Sequence, residues 1–291
     1  MRIVHFSDIH AWSGISDYRA LFDKRLFGSF NYCLRRRYRH RWELVERAVE
    51  RIRLLSPDIV ICTGDLATIS EAKEFEQALN SLTGLVDDHR FELIYVPGNH
   101  DYYVNSDQCR ESLARAFSFL NREKLQLADL PVALSIQHVT YYLINEAVPA
   151  GLFSSAGVID EATQSWLLKT LDDADGDERA FLVHHYPLFD ARGKQLSRRR
   201  HCRNNGFLQS AFRAGRIRFS LCGHIHHHFA RWDGAGSVEF CAGSLTQTGK
   251  LNLIDYNRAE GRIVQRWVDV EGEEPGAADA AIDLDVALQE S

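Results

Sequence analysis

The sequence of 291 residues lacks any run of 18 or more apolar residues, so it predicts no membrane-spanning helix. It also lacks, at its start, the long apolar stretch and small-residue cleavage site of a secretory signal. Its six cysteines lie far apart without a Cys-x-x-Cys pair, and several fall in predicted core strands, where free cysteine behaves as a small hydrophobic residue. We therefore expect a cytoplasmic protein with reduced cysteines.

Basic residues are scarce outside two segments of the chain, and the formal net charge is −6. Residues 19–42 hold eight Arg or Lys against the single acid Asp23, and residues 192–203 hold six with no acid. The rest of the chain keeps 20 basic residues against 39 acidic ones. Such an acidic remainder argues against a general nucleic-acid binder, and we expect no nucleic-acid partner.

Apolar strands alternate with amphipathic helices through the first half of the chain, and the second half is richer in strands. Strands are predicted at 2–6, 58–62, 91–96, 132–136, 140–144, 180–183, 218–221, 238–241, 251–256 and 262–268, and helices at 43–55 and 71–86. This alternation predicts an α/β fold class with a core sandwich of two β-sheets flanked by helices. We predict one domain over 1–271 and a flexible acidic tail over 272–291.

Polar residues directly follow five of these strands. They form the blocks Asp8-x-His10, Gly64-Asp65, Gly98-Asn99-His100-Asp101, His184-His185 and Gly223-His224-Ile225-His226. Because the carboxyl ends of parallel strands meet along one edge of a sheet, we expect these side chains to converge. Their oxygen and imidazole donors suit Mn, Fe or Zn better than the all-oxygen sites of Ca or Mg. One such block is weak evidence, but five in order predict a site for divalent metal ions.

The five blocks resemble the pattern of the calcineurin-like metallophosphoesterase superfamily, D-x-H, G-D, G-N-H-D/E, H and G-H-x-H, from residue 1 to about 245. That resemblance implies a two-sheet β-sandwich and a hydrolase of phosphoric esters or pyrophosphates with two divalent metal ions, of which manganese is expected. It implies that one ion is bound by Asp8, His10 and His226, the other by Asn99, His184 and His224, and both by Asp65 together with a bridging hydroxide. Either His184 or His185 matches the fourth block, and we choose His184 because the similar pattern H-H-P-P uses its first histidine. His227 and His228 are expected outside the ligand set.

His100 is not among the ligands that the resemblance implies, yet it lies between two residues of the third block. A phosphoester hydrolase needs a proton or a positive charge near the departing oxygen. We predict that His100 acts as the general acid or leaving-group stabiliser, and that its neighbour Asp101 orients it or raises its pKa. The alternative is a structural role for His100.

About thirty residues separate His10 from the first long helix, and we call residues 13–42 the insert. Basic residues alternate there with Phe, Leu and Tyr, a composition typical of helices at a membrane interface. The run Arg35-Arg36-Arg37 would favour anionic lipid headgroups. The insert is therefore predicted either as a membrane-facing lid over residues 19–42 or as a segment packed on the protein body. The second basic segment, 192–203, is predicted either to overhang the site and hold a diphosphate or to be a solvated loop.

Within the superfamily, the insert resembles that of the hydrolases acting on UDP-2,3-diacylglucosamine in lipid A synthesis. The stretch Lys24-Arg25-Leu26-Phe27-Gly28 is most similar to the chlamydial-type branch, whereas Thr68 and Ile225 depart from the Gly-Asp-x-x-Asp and Gly-His-Thr-His of the enterobacterial type. This resemblance implies a pyrophosphatase that releases UMP from a lipid-linked nucleotide, peripheral on the inner face of the cytoplasmic membrane. The alternatives are a soluble cyclic-nucleotide phosphodiesterase with the same five blocks and a non-catalytic scaffold, which the filled ligand positions disfavour.

Overall fold

The computed structural model of the chain describes residues 1–173, 180–233, 236–257, 259 and 262–272. The strands are β1 (Arg2–Phe6), β2 (Ile59–Cys62), β3 (Glu92–Tyr95), β4 (Val132–Ile136), β5 (Val139–Leu143), β6 (Gly157–Val158), β7 (Ala180–Val183), β8 (Cys202–Arg203), β9 (Phe219–Cys222), β10 (Phe229–Trp232), β11 (Val238–Cys241), β12 (Lys250–Asn257) and β13 (Arg262–Asp269). The α-helices are α1 (Lys24–Asn31), α2 (Glu43–Leu55), α3 (Ala72–Val86), α4 (Asp107–Leu120), α5 (Glu161–Asp173), α6 (Gly206–Arg213) and α7 (Leu245–Thr248).

Two sheets form the centre of the molecule. The first has the strand order β13-β12-β1-β2-β3, and the second has the order β10-β11-β9-β7-β5-β4. Strands β1, β2 and β3 run parallel to one another, as do β5, β7 and β9. The predicted α/β class, with two sheets flanked by helices, is confirmed. Because parallel neighbours end on the same side, the residues that follow β1, β2 and β3 emerge at one edge, and those that follow β7 and β9 emerge together.

The core has three layers of apolar contacts. Ile3, Ile61 and Ile94 of the first sheet pack against Phe181 and Phe219 of the second, which closes the sandwich. The opposite face of the first sheet packs against α2, α3 and α4, and that of the second against α5 and α6. Strands covered on both faces read as continuous apolar runs rather than as alternating patterns, which explains the sequence Ile-Val-Ile-Cys of β2. These buried strands hold the loops at their ends in place.

The predicted helices at 43–55 and 71–86 correspond to α2 and α3. Helices α4, α5 and α6 were not predicted, although α4 has the N-cap residue Ser106, whose hydroxyl accepts from the backbone N–H of Cys109. Among the described residues, no helix is both long and apolar enough to cross a membrane. The domain limit at residue 271 stays a prediction, and residues 273–291 of the predicted tail lie outside the described residues.

The insert is packed on the body of the protein through one face of α1. The Arg25 side chain is 2 % exposed, and its guanidinium donates to Glu71 Oε1 at 2.8 Å and to Asp23 Oδ2 at 2.9 Å. Gly28 lies so close to the body that an added Cβ would be 2.7 Å from Ile69 and 2.8 Å from the Tyr103 hydroxyl. At the end of the insert, the Tyr32 ring stacks on Trp12 with centroids 4.4 Å apart. An ion pair, a glycine and an aromatic stack therefore fix the inner face.

The outer face of the insert is apolar and uncovered. Phe27 is 56 % exposed, Phe30 65 % and Leu34 61 %, and the facing loop adds Phe153 at 74 %. One face of the insert is thus packed on the body, as the second alternative predicts, and the other presents aromatic side chains to solvent, while the membrane-facing lid stays a prediction. Monomeric soluble proteins seldom expose a continuous apolar patch without a binding role.

Candidate metal centre

The predicted site residues lie where strands of both sheets end. Asp8 and His10 follow β1, Asp65 follows β2 and Asn99 follows β3, while His224 and His226 follow β9. The backbone is left-handed, with positive φ, at Asp8, His10, Asp65, His224 and His226. Non-glycine residues rarely adopt this conformation, and in folded proteins it concentrates at functional sites, held there by the surrounding structure. The buried strands therefore force sharp turns that aim these side chains at one place.

Two glycines of the motifs lie directly against the carboxylates of the site, where no side chain would fit. A Cβ on Gly98 would lie 2.2 Å from Asp65 Oδ1, and one on Gly223 would lie 2.4 Å from Asp8 Oδ2. Real Cβ atoms do not come that close, so each glycine lets the backbone of one loop touch a carboxylate from another strand. The first contact joins two loops of the first sheet, and the second joins a loop of the first sheet to one of the second.

A first group of donors is formed by Asp8, His10, Asp65 and His226, with one ligand atom from each and all four atoms within 4.8 Å of one another. Asp8 Oδ1 lies 3.3 Å from His226 Nε2 and 3.6 Å from His10 Nε2. Asp65 Oδ2 lies 3.8 Å from His10 Nε2. In the described part of the chain, these two buried carboxylate oxygens have no hydrogen-bond partner. Buried unpaired carboxylate oxygens are costly unless a cation binds them, so the residues present match a divalent metal ion.

A second group of donors lies beside the first and shares Asp65. Asn99 Oδ1 is 2.7 Å from His224 Nδ1 and 3.3 Å from His185 Nε2. His185 Nε2 is in turn 3.5 Å from Asp65 Oδ2. One amide oxygen, two imidazoles and a shared carboxylate form a second donor set of the mixed N/O type that transition metals prefer. Asp65 stands between the two sets, as expected of a bridging residue.

The histidines of both groups hold their far nitrogens on hydrogen-bonding partners. His185 Nδ1–H donates to the Thr63 carbonyl at 2.6 Å, and His224 Nε2–H donates to the Arg200 carbonyl at 2.9 Å. The His10 Nδ1–H donates to the Ala67 carbonyl at 3.2 Å. The side-chain amide of Gln247 lies 2.7 Å from His226 Nδ1. Partners of this kind fix the ring orientation and tautomer of metal-binding histidines, and they leave the opposite nitrogen of each ring facing the centre.

His184 is placed elsewhere, and its choice over His185 is corrected. Its Nε2 lies 2.8 Å from Ser220 Oγ and its Nδ1 lies 3.3 Å from Glu146 Oε1, deep in the second sheet. Both ring nitrogens are thus engaged away from Asp65 and Asn99. Successive residues of an extended chain point to opposite sides, so only one of two adjacent histidines can face the centre. That residue is His185.

The hydrogen bonds of Asp101 differ from the predicted role of orienting His100, because they hold a loop of the backbone. The Asp101 carboxylate accepts from the backbone N–H groups of Asp65, Leu66, Ala67 and Gly98, and from the Tyr95 hydroxyl. This carboxylate is turned away from the site and holds the Gly64-Asp65 loop against the third block. Burial, followed by the charge of Asp65, raises the pKa of Asp101 to about 6. Asp101 therefore positions the backbone of the bridging residue.

His100 is oriented by another group. Its Nδ1–H donates to the carbonyl of Thr68, and its ring stacks on Tyr103 with centroids 5.3 Å apart. Its backbone N–H donates to Asp65 Oδ1 at 2.7 Å, which leaves Asp65 Oδ2 for the metal centre. His100 thus lies beside the donor groups with the Thr68 carbonyl on its Nδ1, and its role as general acid stays a prediction. Neither Thr68 nor Gln247 belongs to a motif that would predict its role. Thr68 acts through its backbone carbonyl, and Gln247 contacts His226 from 21 residues along the chain.

The carboxylates of the centre attract positive charge, which the imidazolium of His185 supplies in the metal-free chain and gives up as a proton when a metal ion binds. Burial alone raises the pKa of Asp65, but His185 and His100 outweigh it and hold the pKa below its usual range. Burial tends to lower the pKa of His185, yet Asp65 outweighs it and raises that pKa to about 10. Burial lowers the pKa of His224 to about 3, so this ring is neutral at pH 7, as a metal ligand must be. The ionised carboxylates thus draw positive charge to the centre.

Two adjoining cavities give access to the centre. The cavity over the donors, about 280 Å³, is lined by residues that include Asp65, His224, His226 and His227. The second, about 430 Å³, shares with it Asn99, His100, Ser155 and Arg200. A larger cavity of about 730 Å³ near Met1 and Tyr256 lies at the opposite ends of the strands, and the described residues form no cluster of metal-type donors there. Of the other two histidines in the last block, His227 lines the entrance and His228 packs on Trp267.

Residues 1–228 match the model of the calcineurin-like phosphoesterase family, and the chain belongs to this family. The resemblance inferred from the five blocks is confirmed, and the family is one of metal-dependent phosphoester hydrolases. The expected pair of divalent ions agrees with the family and with the donor cluster, while manganese as the metal stays a prediction.

Two relatives carry names that describe an activity. The chain is 30 % identical over 189 residues to a protein from Rhodopseudomonas palustris named probable cyclic nucleotide phosphodiesterase, covering 63 % of each chain. It is 26 % identical over 229 residues to a cAMP/cGMP dual specificity phosphodiesterase from Mycobacterium tuberculosis, covering 77 % of this chain and 61 % of that one. The chain thus spans less than two thirds of the length of either relative.

Solved structures share the fold. A dimetal phosphatase from Danio rerio superposes with a TM-score of 0.63 at 16 % identity, covering 91 % of this chain and 95 % of that one. A purple acid phosphatase from yellow lupin seeds has a TM-score of 0.59 at 10 % identity, covering 94 % of this chain and 52 % of that one. At these identities the likeness supports the two-sheet fold alone.

Proposed function

We propose that the protein hydrolyses a phosphodiester bond at a centre of two divalent metal ions. The observation that carries the proposal is the shared carboxylate of Asp65, buried between two donor groups with one oxygen unpaired among the described residues. Asp8, His10 and His226 would hold one ion, and Asn99, His185 and His224 the other. Bound there, two such ions lower the pKa of a water molecule and stabilise the charge of the phosphoryl oxygens. We expect manganese, with iron or zinc as alternatives.

The chain's own groups orient and complete this centre. Asp101 fixes the loop of Asp65 through backbone N–H groups, and Gly98 and Gly223 let the loops close around the carboxylates. His100 lies at the boundary between the two cavities with Nδ1 fixed by Thr68, so Nε2 is the atom able to meet a departing oxygen. A proton or a hydrogen bond delivered from that atom would stabilise the leaving group.

Cyclic nucleotides are the first candidate substrates. Both relatives described above are named as cyclic-nucleotide phosphodiesterases. A cyclic phosphodiester has one phosphate, which the cavity over the donor groups can admit, and a nucleoside, which the adjoining cavity of about 430 Å³ can hold. This candidate replaces UDP-2,3-diacylglucosamine as the preferred substrate, because neither relative supports that lipid-linked nucleotide.

A turnover panel tests this proposal. The purified full chain, loaded with manganese, would be assayed on cyclic AMP, UDP-2,3-diacylglucosamine and bis(p-nitrophenyl) phosphate. Hydrolysis of the aryl diester and of cyclic AMP, with two metal ions per chain by elemental analysis, is expected. Absence of turnover on all three substrates with both ions bound would refute a phosphodiesterase.

A lipid-linked nucleotide is a second candidate, and one specific observation favours it. A groove of about 400 Å³ between the insert and the facing loop is lined by Phe27, Phe30, Leu34, Leu152 and Phe153. This groove shares Gly28, Tyr103 and Phe153 with the cavity beside His100, so an apolar surface continues toward the metal centre. Exposed aromatic residues next to arginines such as Arg37 suit an anionic membrane surface, which would place the protein peripherally on a membrane.

Vesicle binding tests the second candidate separately. The full chain should sediment with vesicles containing phosphatidylglycerol, and the double variant Phe27→Ser and Phe30→Ser should lose that binding. Leu54→Ser is the control, because Leu54 is an even more exposed apolar residue (75 %) on α2 outside the insert. Equal sedimentation of the double variant and the control would remove the membrane role, whatever the turnover panel gives.

A further inference from the structure

The cavity beside His100 carries a concentration of positive charge. Lys24, Arg199 and Arg200 line it together with Asn99 and His100. No acidic side chain of the described residues lines this cavity. Its three cations come from distant parts of the chain, since Lys24 begins α1 of the insert and the arginines belong to the basic segment 192–203. The two basic segments of the sequence therefore meet here.

Lys24 is held in place without a counter-charge. Its ammonium group donates to the carbonyls of Ala150 and Ser154 at 3.3 and 3.4 Å, and it lies 4.0 Å from the centre of the Tyr103 ring. Among the described residues it forms no ion pair, in contrast to the adjacent Arg25 with three carboxylates. Burial lowers the pKa of Lys24 to about 8. A half-buried ammonium fixed by neutral groups keeps its capacity to bind an anion.

We propose that Lys24, with Arg199 and Arg200, forms a subsite for a second phosphate group, on the leaving-group side of His100. The inference rests on the proposed hydrolysis at the metal centre, and it adds a class of substrate. A cyclic nucleotide has a single phosphate, which would lie over the donor groups, so its uncharged nucleoside would enter this cavity without using the charge of the three cations. A diester of pyrophosphate places its second phosphate one bridging oxygen away, on the side where His100 and the cations lie. Nucleoside diphosphate derivatives are therefore the substrates that the subsite selects.

Nearby cations stabilise such a leaving group better than a proton donor does. In the reaction, the oxygen of water bonds to the attacked phosphorus while the P–O bond to the bridging oxygen breaks. The electron pair remains on that oxygen, now part of a phosphomonoester, and the protons of the water pass to the products or to solvent. The second pKa of a phosphomonoester is about 6, so near pH 7 it departs largely as a dianion. Ammonium and guanidinium groups stabilise that charge directly.

Paired substrates on the manganese-loaded full chain test the subsite. Values of kcat/KM would be measured for UDP-glucose, a water-soluble pyrophosphate diester, and for cyclic AMP. In Lys24→Gln, the ratio of the first value to the second should fall about tenfold, the scale of one lost hydrogen bond to a charged group. Arg199→Gln should change the ratio in the same direction by a smaller factor, because Arg199 is exposed. Lys169→Gln, an exposed lysine on α5, is the control and should leave the ratio unchanged.

A binding measurement keeps this test separate from the proposed hydrolysis. The methylene-bridged analogue of UDP-glucose, which is not cleaved at the bridge, should bind the metal-loaded protein about tenfold more weakly in Lys24→Gln than in Lys169→Gln. Equal affinity in the two variants, or a parallel loss of cyclic AMP and UDP-glucose turnover, would overturn the subsite. Absence of turnover on all three substrates of the turnover panel would instead refute the proposed hydrolysis, and the analogue's affinity would still decide the subsite.

Discussion

The metal centre and the outer face of the insert lie next to each other but are stabilised in opposite ways. Asp65 is 1 % exposed, and its backbone and carboxylate are fixed by Asp101 and by the N–H of His100. Phe30 of the insert is 65 % exposed, and only the opposite face of its helix is anchored, through Arg25 and Gly28. The metal centre is held by several hydrogen bonds and close backbone contacts. The outer face of the insert instead exposes an apolar surface that no described part of the chain covers.

We infer from this difference that the metal centre determines the reaction, whereas the insert influences which substrates are hydrolysed. Left-handed turns at buried strand ends tolerate little change, since each side chain at the centre is placed by several partners. Segments added between such strands, like the insert and the basic segment 192–203, can vary without moving the donors. We expect changes at the centre to abolish turnover on every substrate, and changes in the insert to alter turnover only on substrates that reach it. The following variants test that contrast.

The largest effect is expected for Asp65→Asn. The neutral amide keeps the volume but removes the charge shared by both donor groups, so metal affinity and turnover should both collapse. Turnover of bis(p-nitrophenyl) phosphate should fall by more than the roughly 10²–10³-fold that a single lost transition-state contact costs. Elemental analysis should find fewer than two ions per chain. Glu161→Gln, an exposed acid on α5, is the control; normal activity and metal content in Asp65→Asn would contradict the assignment of the centre.

His100→Asn should be the next most severe change on poor leaving groups. Both metal ions should remain, while turnover of cyclic AMP falls by roughly 10²–10⁴-fold, the range for a lost general acid. An aryl diester should suffer less, because its leaving group needs little assistance. If both substrates lose activity equally, His100 stabilises something other than the departing oxygen.

The adjacent histidines give a matched pair. His185→Ala should lower metal affinity by at least the roughly 10–100-fold that changes near a metal commonly cost, whereas His184→Ala should retain two ions. The second variant should instead lower the free energy of unfolding by about 1–3 kcal/mol, because buried Glu146 and Ser220 lose their partner. Metal titration and chemical denaturation of both variants measure the two effects. Loss of metal in His184→Ala alone would restore the choice made from the sequence.

The smallest effect on the centre is expected from loosening the insert with Arg25→Met. Removing this cation leaves Glu71, which is fully buried, without its charge partner, and should destabilise the protein by about 3–5 kcal/mol. Turnover of the small aryl diester should change little at temperatures where the variant is folded, since the donors are untouched. Binding to anionic vesicles should weaken. A thermal melt and the aryl assay suffice, with Arg110→Met as the exposed control; a collapse of aryl turnover in folded protein would show that the insert belongs to the centre.

Much of this molecule could be predicted from local patterns. The buried strands read as apolar runs, and the blocks after them read as metal donors because glycine, carboxylate and imidazole recur at strand ends in a fixed order. Asp8, His10, Asp65, Asn99, His224 and His226 accordingly lie in the two donor groups. Helices α4 to α6 were not predicted from the apolar period, although the N-cap residue Ser106 marks the start of α4.

The sequence by itself determined the sandwich, the edge at which the donors gather and the positive charge of two segments. Only the tertiary structure decided which of His184 and His185 faces the centre, because that choice depends on Ser220 and Glu146, 36 and 38 residues away. It alone turned Asp101 toward the backbone of the Asp65 loop and brought Lys24 into one cavity with Arg199 and Arg200. Strand ends and charge are properties of neighbouring residues, whereas the partner of a side chain is set by how distant segments pack.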